Sequence, residues 1–179
     1  MESILPVRVS LDHSPPWWDE DPEWFVTICT DSPKVNSLCL PEVAGPLLEG
    51  VEQYHQSYKW FADIVVVMPD HVHFIVSIPD KTSLSEVMRN FKRWSAKRLS
   101  IAWQRGFFEH RLRSYPSANQ KFKYVMNNPV RAGLVSCPEE WPYTFIGGNR
   151  ESGRLGKPPL PSPRFQLGRG RCPQRTGWG

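Results

Sequence analysis

Two histidines one residue apart, His71-Val72-His73, and a tyrosine four residues before an asparagine, Tyr124 and Asn128, are the side chains best suited to chemistry. The histidines fall in a β-branched run, and in a strand successive side chains leave opposite faces. Both imidazoles therefore share one face, while Val72 joins its apolar neighbours on the other. Imidazole is a common ligand of divalent metals, so such a pair can set two nitrogens about one ion. The same spacing also describes two ordinary packing histidines. The tyrosine falls on a predicted helix whose apolar arc is Ala118, Phe122, Val125 and Met126. At ~100° per residue it lies about 200° around from Phe122, on the polar side with Gln120, Lys121 and Asn128. Four residues apart, Tyr124 and Asn128 share a helix face. A tyrosine off the core arc, beside a lysine, is a candidate nucleophile. The plainer alternative is a ring packed on a sheet with its hydroxyl in water.

Charge is divided unevenly around these residues. The chain has 179 residues, 22 Lys plus Arg, 18 Asp plus Glu and a net charge of +4. Residues 1–88 hold 4 basic and 14 acidic side chains, whereas residues 89–131 hold 11 basic and 1 acidic. Such an excess produces a potential of several kT and suits a polyanion such as nucleic acid. A helix face that pairs with the acidic half would account for it equally well. Apolar residues make up 40%, enough for a core. No apolar run approaches the ~20 residues of a membrane-spanning helix, and the first residues lack the apolar stretch of a secretory signal. Cys29, Cys39, Cys137 and Cys172 form no C-x-x-C pair, which excludes a cysteine zinc finger and suggests a reducing, cytosolic compartment.

Periodicity predicts the elements that must hold these groups. Residues 24–30 are aromatic and β-branched, a strand. Pro41 suits the first turn of a helix that Leu47, Leu48, Val51 and Tyr54 continue. Residues 61–68 and 71–78 read as hairpin strands parted by Pro69-Asp70. Ser83-Leu84-Ser85-Glu86 is a capping box. It opens a helix, predicted to last to about Trp103, with Leu84, Val87, Met88, Phe91 and Trp94 as the buried stripe. Arg89, Lys92, Arg93 and Lys97 share the solvent-facing stripe. Residues 107–112 form a short strand and 117–127 a last helix, stopped by Pro129. The order β-α-β-β-α-β plus a helix predicts an α+β, ferredoxin-like domain with helices on an antiparallel sheet. The domain is expected over 1–146, with its core from about residue 22. Residues 147–179, with 7 basic and 1 acidic side chains, read as a Gly/Pro/Arg-rich basic tail. Alternatively that segment packs on the domain through Phe165 and Leu167.

The run Val67-Met68-Pro69-Asp70-His71-Val72-His73, the basic helix, Trp103-Gln104 and then YVMNNPVRAGLV from Tyr124 to Val135, in that order, resemble the single-tyrosine HUH transposases. Within them the chain is most similar to the REP-associated tyrosine transposases, over roughly residues 22–146. The resemblance implies the ferredoxin-like fold already reached from periodicity. It implies that His71 and His73 are metal ligands, that Asn128 is a third, amide-type ligand, and that Tyr124 is the nucleophile. The implied cofactor is Mg²⁺ or Mn²⁺ acting as Lewis acid on a scissile phosphate. The implied product is a 5′-phosphotyrosine beside a free 3′-OH, and the implied partner is single-stranded or REP-like hairpin DNA. Two departures stand out. Asp70 occupies a position where the family usually has Asn, which bears on metal preference, and Thr144-Phe145 stands where serines are common.

Arg89, Lys92, Arg93 and Lys97 on the basic helix, Arg111 and Arg113 at the last strand, and Lys121 beside the tyrosine are the expected phosphate contacts. Trp94 fits the core stripe better than a stacking role. A monomer or homodimer, with no membrane association and a cytoplasmic, nucleoid-associated location, fits this reading. Two competitors remain: a domesticated DNA-binding protein with the fold but no catalysis, and a small metal-dependent phosphodiesterase. A covalent protein–DNA adduct separates both from a strand transferase, and Tyr115 is the next nucleophile should Tyr124 prove dispensable.

Overall fold

The computed structural model describes residues 22–79 and 82–147; the predicted tail beyond Gly147, and the side chain of Tyr115, lie outside the described residues. The elements are β1 (Glu23–Cys29), α1 (Pro41–Gln56), β2 (Phe61–Val67), β3 (His71–Ser77), α2 (Leu84–Leu99), β4 (Phe108–Leu112), α3 (Tyr115–Met126), α4 (Asn128–Arg131) and β5 (Thr144–Ile146). The sheet runs β4-β1-β3-β2-β5, with every neighbour antiparallel. This is the expected ferredoxin-like order with one strand added beyond β2.

The pleat divides the strands between two layers. Val26, Ile28, Val65, Val67, Val72, Phe74 and Val76 face α1 and α2 and form the larger core with Leu47, Val51, Val87, Met88 and Phe91. Phe25, Ile64, Val66 and Ile75 leave the other face and meet Ala118 and Val125 of α3 in a smaller core. Each fully buried side chain of this kind contributes about 1.5–3 kcal/mol, so the first layer carries most of the stability. Trp94 packs on it beside Tyr54 and Phe91, and Gly50 of α1 is required there, because a Cβ would collide with the Trp94 indole. No helix among the described residues is long and apolar enough to cross a membrane.

Three local expectations are corrected. α2 opens as predicted, with the Ser83 hydroxyl accepting the Glu86 amide at 3.2 Å, but it ends at Leu99 rather than near Trp103. Ser100 turns left-handed, with φ 56°, so that Ile101 and Trp103 fold back onto the core and Trp103 bridges to Thr30. α3 begins at Tyr115, because Ser114 caps it and Pro116 suits a first turn. Pro129 does not end helical structure: it falls in the first turn of α4, where its missing N–H costs nothing. β5 was not expected; its three residues, Thr144–Ile146, pair with β2.

Candidate active site

β3 lies in the middle of the sheet, and its odd residues point toward α3. His73 stands opposite Thr27 of β1 and Val66 of β2. Its Nδ1 lies 2.8 Å from the Thr27 hydroxyl. One residue before β3, the Asp70 carboxylate accepts from His71 Nδ1 at 2.6 Å, and also from the Lys34 amide at 2.6 Å. Each imidazole is thus held through Nδ1, which turns both Nε2 atoms inward to 3.2 Å from each other. Two nitrogens at ~2.1 Å from one ion and at right angles would be about 3.0 Å apart, so the pair fits joint ligation.

Burial foremost, with the fields of His71 and Lys121 added, pushes the His73 pKa down to about 3, against the opposing effect of a hydrogen bond accepted by the Asn128 amide oxygen. His73 is therefore a neutral imidazole with a lone pair to give. Burial works against ionisation of Asp70, yet the Lys34 amide and His71 hold its pKa below the usual carboxylate value. A carboxylate on the far nitrogen of a ligating histidine fixes the tautomer and raises ligand basicity. His73 is only 7% exposed, so removing its ring would cost packing as well as a nitrogen donor. The cause is the ring's position between Phe25 and Tyr124.

α3 brings the tyrosine over this pair. Val125 and Ala118 anchor the helix on the sheet, leaving Tyr124 36% exposed at the rim. Its ring centroid is 6.4 Å from that of His73 and 6.3 Å, edge-on, from that of Phe25. Two cations flank it: Lys121 Nζ lies 4.9 Å, and the Arg131 guanidinium 4.8 Å, from the ring centroid. Asn128 Nδ2 donates to the Tyr124 carbonyl at 3.3 Å, which leaves Oδ1 as the atom able to serve His73 or an ion. Among the described residues no three His, Cys, Asp or Glu side chains cluster as a metal cage. The donor set is two imidazoles and one amide oxygen, enough to hold a divalent ion and leave its remaining positions to water or a phosphate.

His71, His73, Tyr124, Asn128 and Lys121 thus come together; the other predicted DNA contacts do not join them. Arg89, Arg93 and Lys97 are exposed on α2, in the layer behind the sheet. Lys92 is not part of that open stripe: its ammonium donates to the Gln104 and Gly106 carbonyls at 2.5 and 2.8 Å. The chain returning from α2 leaves those carbonyls without strand partners, and Lys92 is within reach. Arg111 alternates with Leu112 and so faces the α2 side, while Arg113 is exposed just past β4. Sequence reasoning missed Arg131, Thr27 and the tie from Asp70 to His71. Arg131 could have been found, since it follows Tyr124 by two helical turns, but the Thr27 contact depends on strand register.

Fold and site together define a transposase-type α+β domain, with a histidine pair on a central strand facing a helix-borne tyrosine. The chain belongs to the IS200-like transposase family, whose family model matches residues 36–128. It is 25% identical over 122 residues to a Haemophilus influenzae protein assigned as a REP-associated tyrosine transposase, covering 55% of this chain and 69% of that one. It is 30% identical over 84 residues to the Escherichia coli REP-associated tyrosine transposase, covering 44% of this chain and 50% of the relative. A REP-associated tyrosine transposase solved bound to a REP hairpin superimposes with a TM-score of 0.61 at 24% identity, covering 69% of this chain and 75% of that one. The chain is accordingly a protein of DNA transposition.

Proposed function

We propose that this protein cleaves and rejoins a DNA strand through Tyr124, on single-stranded DNA or a hairpin with a single-stranded flank. The observation that carries the reading is the inward convergence of His71 and His73 Nε2 at 3.2 Å, with the Tyr124 ring centroid 6.4 Å from that of His73. His71, His73 and Asn128 would hold Mg²⁺ or Mn²⁺, which when bound supplies Lewis-acid polarisation of a phosphate. Tyr124 Oη forms a bond to phosphorus as the bond to the 3′ oxygen breaks. The phenolic proton passes to water, and the departing 3′ oxygen takes one up. A 5′-phosphotyrosine and a free 3′-OH result. The phosphodiester energy is conserved, so the hydroxyl can attack in reverse and join strands.

Lys121 and Arg131 flank the ring and offer positive charge to the phosphate as negative charge builds during transfer. Asp70 and Thr27 hold the two imidazoles in orientation. All of these groups lie in one chain, which favours a site complete in a single copy. A REP-type hairpin is the proposed partner, by analogy with the REP hairpin in the related complex.

The test is incubation of the purified protein with a labelled hairpin carrying a flank, followed by a denaturing gel. A Mg²⁺- or Mn²⁺-dependent covalent adduct is expected from the parent and none from Tyr124→Phe, with DNA affinity kept in both. Tight binding by the parent with no adduct under any divalent ion would instead make this a DNA-binding protein that has left catalysis behind. An adduct persisting in Tyr124→Phe would move the nucleophile to another tyrosine, Tyr115 first.

A further inference from the structure

Phe108 is out of keeping with its surroundings. It is a phenylalanine with 59% of its surface exposed, on the edge strand of the sheet. Leu112 of the same strand is buried in the α3-side core, so by alternation Phe108 and His110 share the face that carries Tyr124. The Phe25 ring lies between them: its centroid is 6.0 Å from Phe108 and 6.3 Å from Tyr124, edge-on to both. Phe108 therefore stands one ring away from the nucleophile, braced on one side and open on the other.

The surroundings are suited to nucleic acid. From His110 to Val135 the sequence contains no Asp or Glu and 5 Lys or Arg, and Lys121 Nζ sits 4.6 Å from the Phe25 centroid. One residue before Phe108 the chain turns to the other side of the edge. There Phe107, Arg89, Lys92, Arg105 and Glu109 line a cleft of about 480 Å³. Trp94 and Trp103 are committed elsewhere: Trp94 covers Gly50, and the Trp103 indole donates to Ser95 at 2.9 Å.

We propose that Phe108 is the stacking platform for an unpaired base next to the scissile phosphate, and that the strand then passes over the β4 edge toward Arg105 and Arg89. The inference rests on Tyr124 as nucleophile and adds the path of the single-stranded flank. Every base has a π-face, so this contact positions the strand without reading its sequence.

The experiment measures Kd by anisotropy in a Tyr124→Phe background, for a DNA hairpin with a short single-stranded flank and for the same hairpin blunt-ended. Phe108→Ala is expected to weaken binding of the flanked hairpin about tenfold, the usual scale of one lost base stack, and the blunt hairpin less than twofold. Phe108→Trp is expected to restore affinity, with its indole fluorescence quenched on binding. One abasic position in the flank should weaken the Phe108-containing protein as much as Phe108→Ala does, with no further loss in the variant. Equal losses on both hairpins, or none on the flanked one, would overturn the proposal, as would an unquenched Trp at this position. The covalent-adduct assay, run on protein with Tyr124 intact, distinguishes the two readings. Adduct with an indifferent Phe108 removes the platform alone; no adduct, with flank-dependent loss, removes the chemistry alone.

Discussion

The two faces of the sheet use the same strands for different ends. On β3, Val72, Phe74 and Val76 are buried under α1 and α2, while His71, His73 and Ile75 look toward α3. The first face is apolar from end to end and covered by two helices of 16 residues each. The second has a smaller apolar cluster, with Phe25, Ile64, Val66, Met68, Ile75 and Leu112. It becomes polar toward Thr27, His73, His71 and Asp70, beside the Tyr124 ring of α3. Stability is thus concentrated on one face, and the other can carry buried imidazoles and an exposed phenol without threatening the fold.

The largest effect that could break this comparison is Phe91→Ala, on the closed face. Phe91 is fully buried, and loss of its ring should cost about 3–5 kcal/mol in urea unfolding. Activity per folded molecule should be unchanged; a loss of cleavage in the folded fraction would mean the faces are coupled. Next comes acid. His73 has a pKa of about 3 in the fold against 6.5 ordinarily, so the unfolded chain takes up the proton first. Its contribution to stability is complete above pH 6.5 and is withdrawn as pH falls toward 3, at about 1.4 kcal/mol per pH unit. Urea titrations in EDTA at stepped pH should show this slope, and His73→Gln should flatten it. A slope unchanged by His73→Gln would mean another group titrates.

A third measurement asks whether DNA reaches the closed side. Neutralising Arg89, Arg93 and Lys97 together should flatten the salt dependence of single-strand binding by about 2 in log–log slope. No change would confine the DNA to the α3 face. The smallest effect is on stability in Tyr124→Phe: at a rim residue 36% exposed, the melting free energy should move by no more than about 0.5 kcal/mol. A larger loss would show that the hydroxyl holds α3 in place.

Much of this was legible in the sequence, and its failures are instructive. β2 and β3 announce themselves by β-branched runs, and Ser83 with Glu86 marks the start of α2. The end of α2 was misplaced because Ile101 and Trp103 continue the apolar pattern while belonging to a chain that has already turned back. β5 is too short for a period. Lys92 has the spacing of its neighbours, and only the returning carbonyls of Gln104 and Gly106 distinguish it. His71, His73, Tyr124 and Asn128 could be named from motif and spacing. Thr27 could not, since its contact with His73 is created by strands 46 residues apart.

The placement of β3 between β1 and β2 also has a consequence for the ribosome. Every strand that holds the histidine pair has been synthesised by the end of β3, and the sheet around it can close early. Tyr124 follows His73 by about fifty residues, which at 5–20 residues per second is roughly 2.5–10 s of translation. A nascent or prematurely terminated chain can therefore carry the histidine pair without Tyr124 and Asn128. Under the proposed chemistry, α3 and α4 complete the site only after the histidine pair has been made.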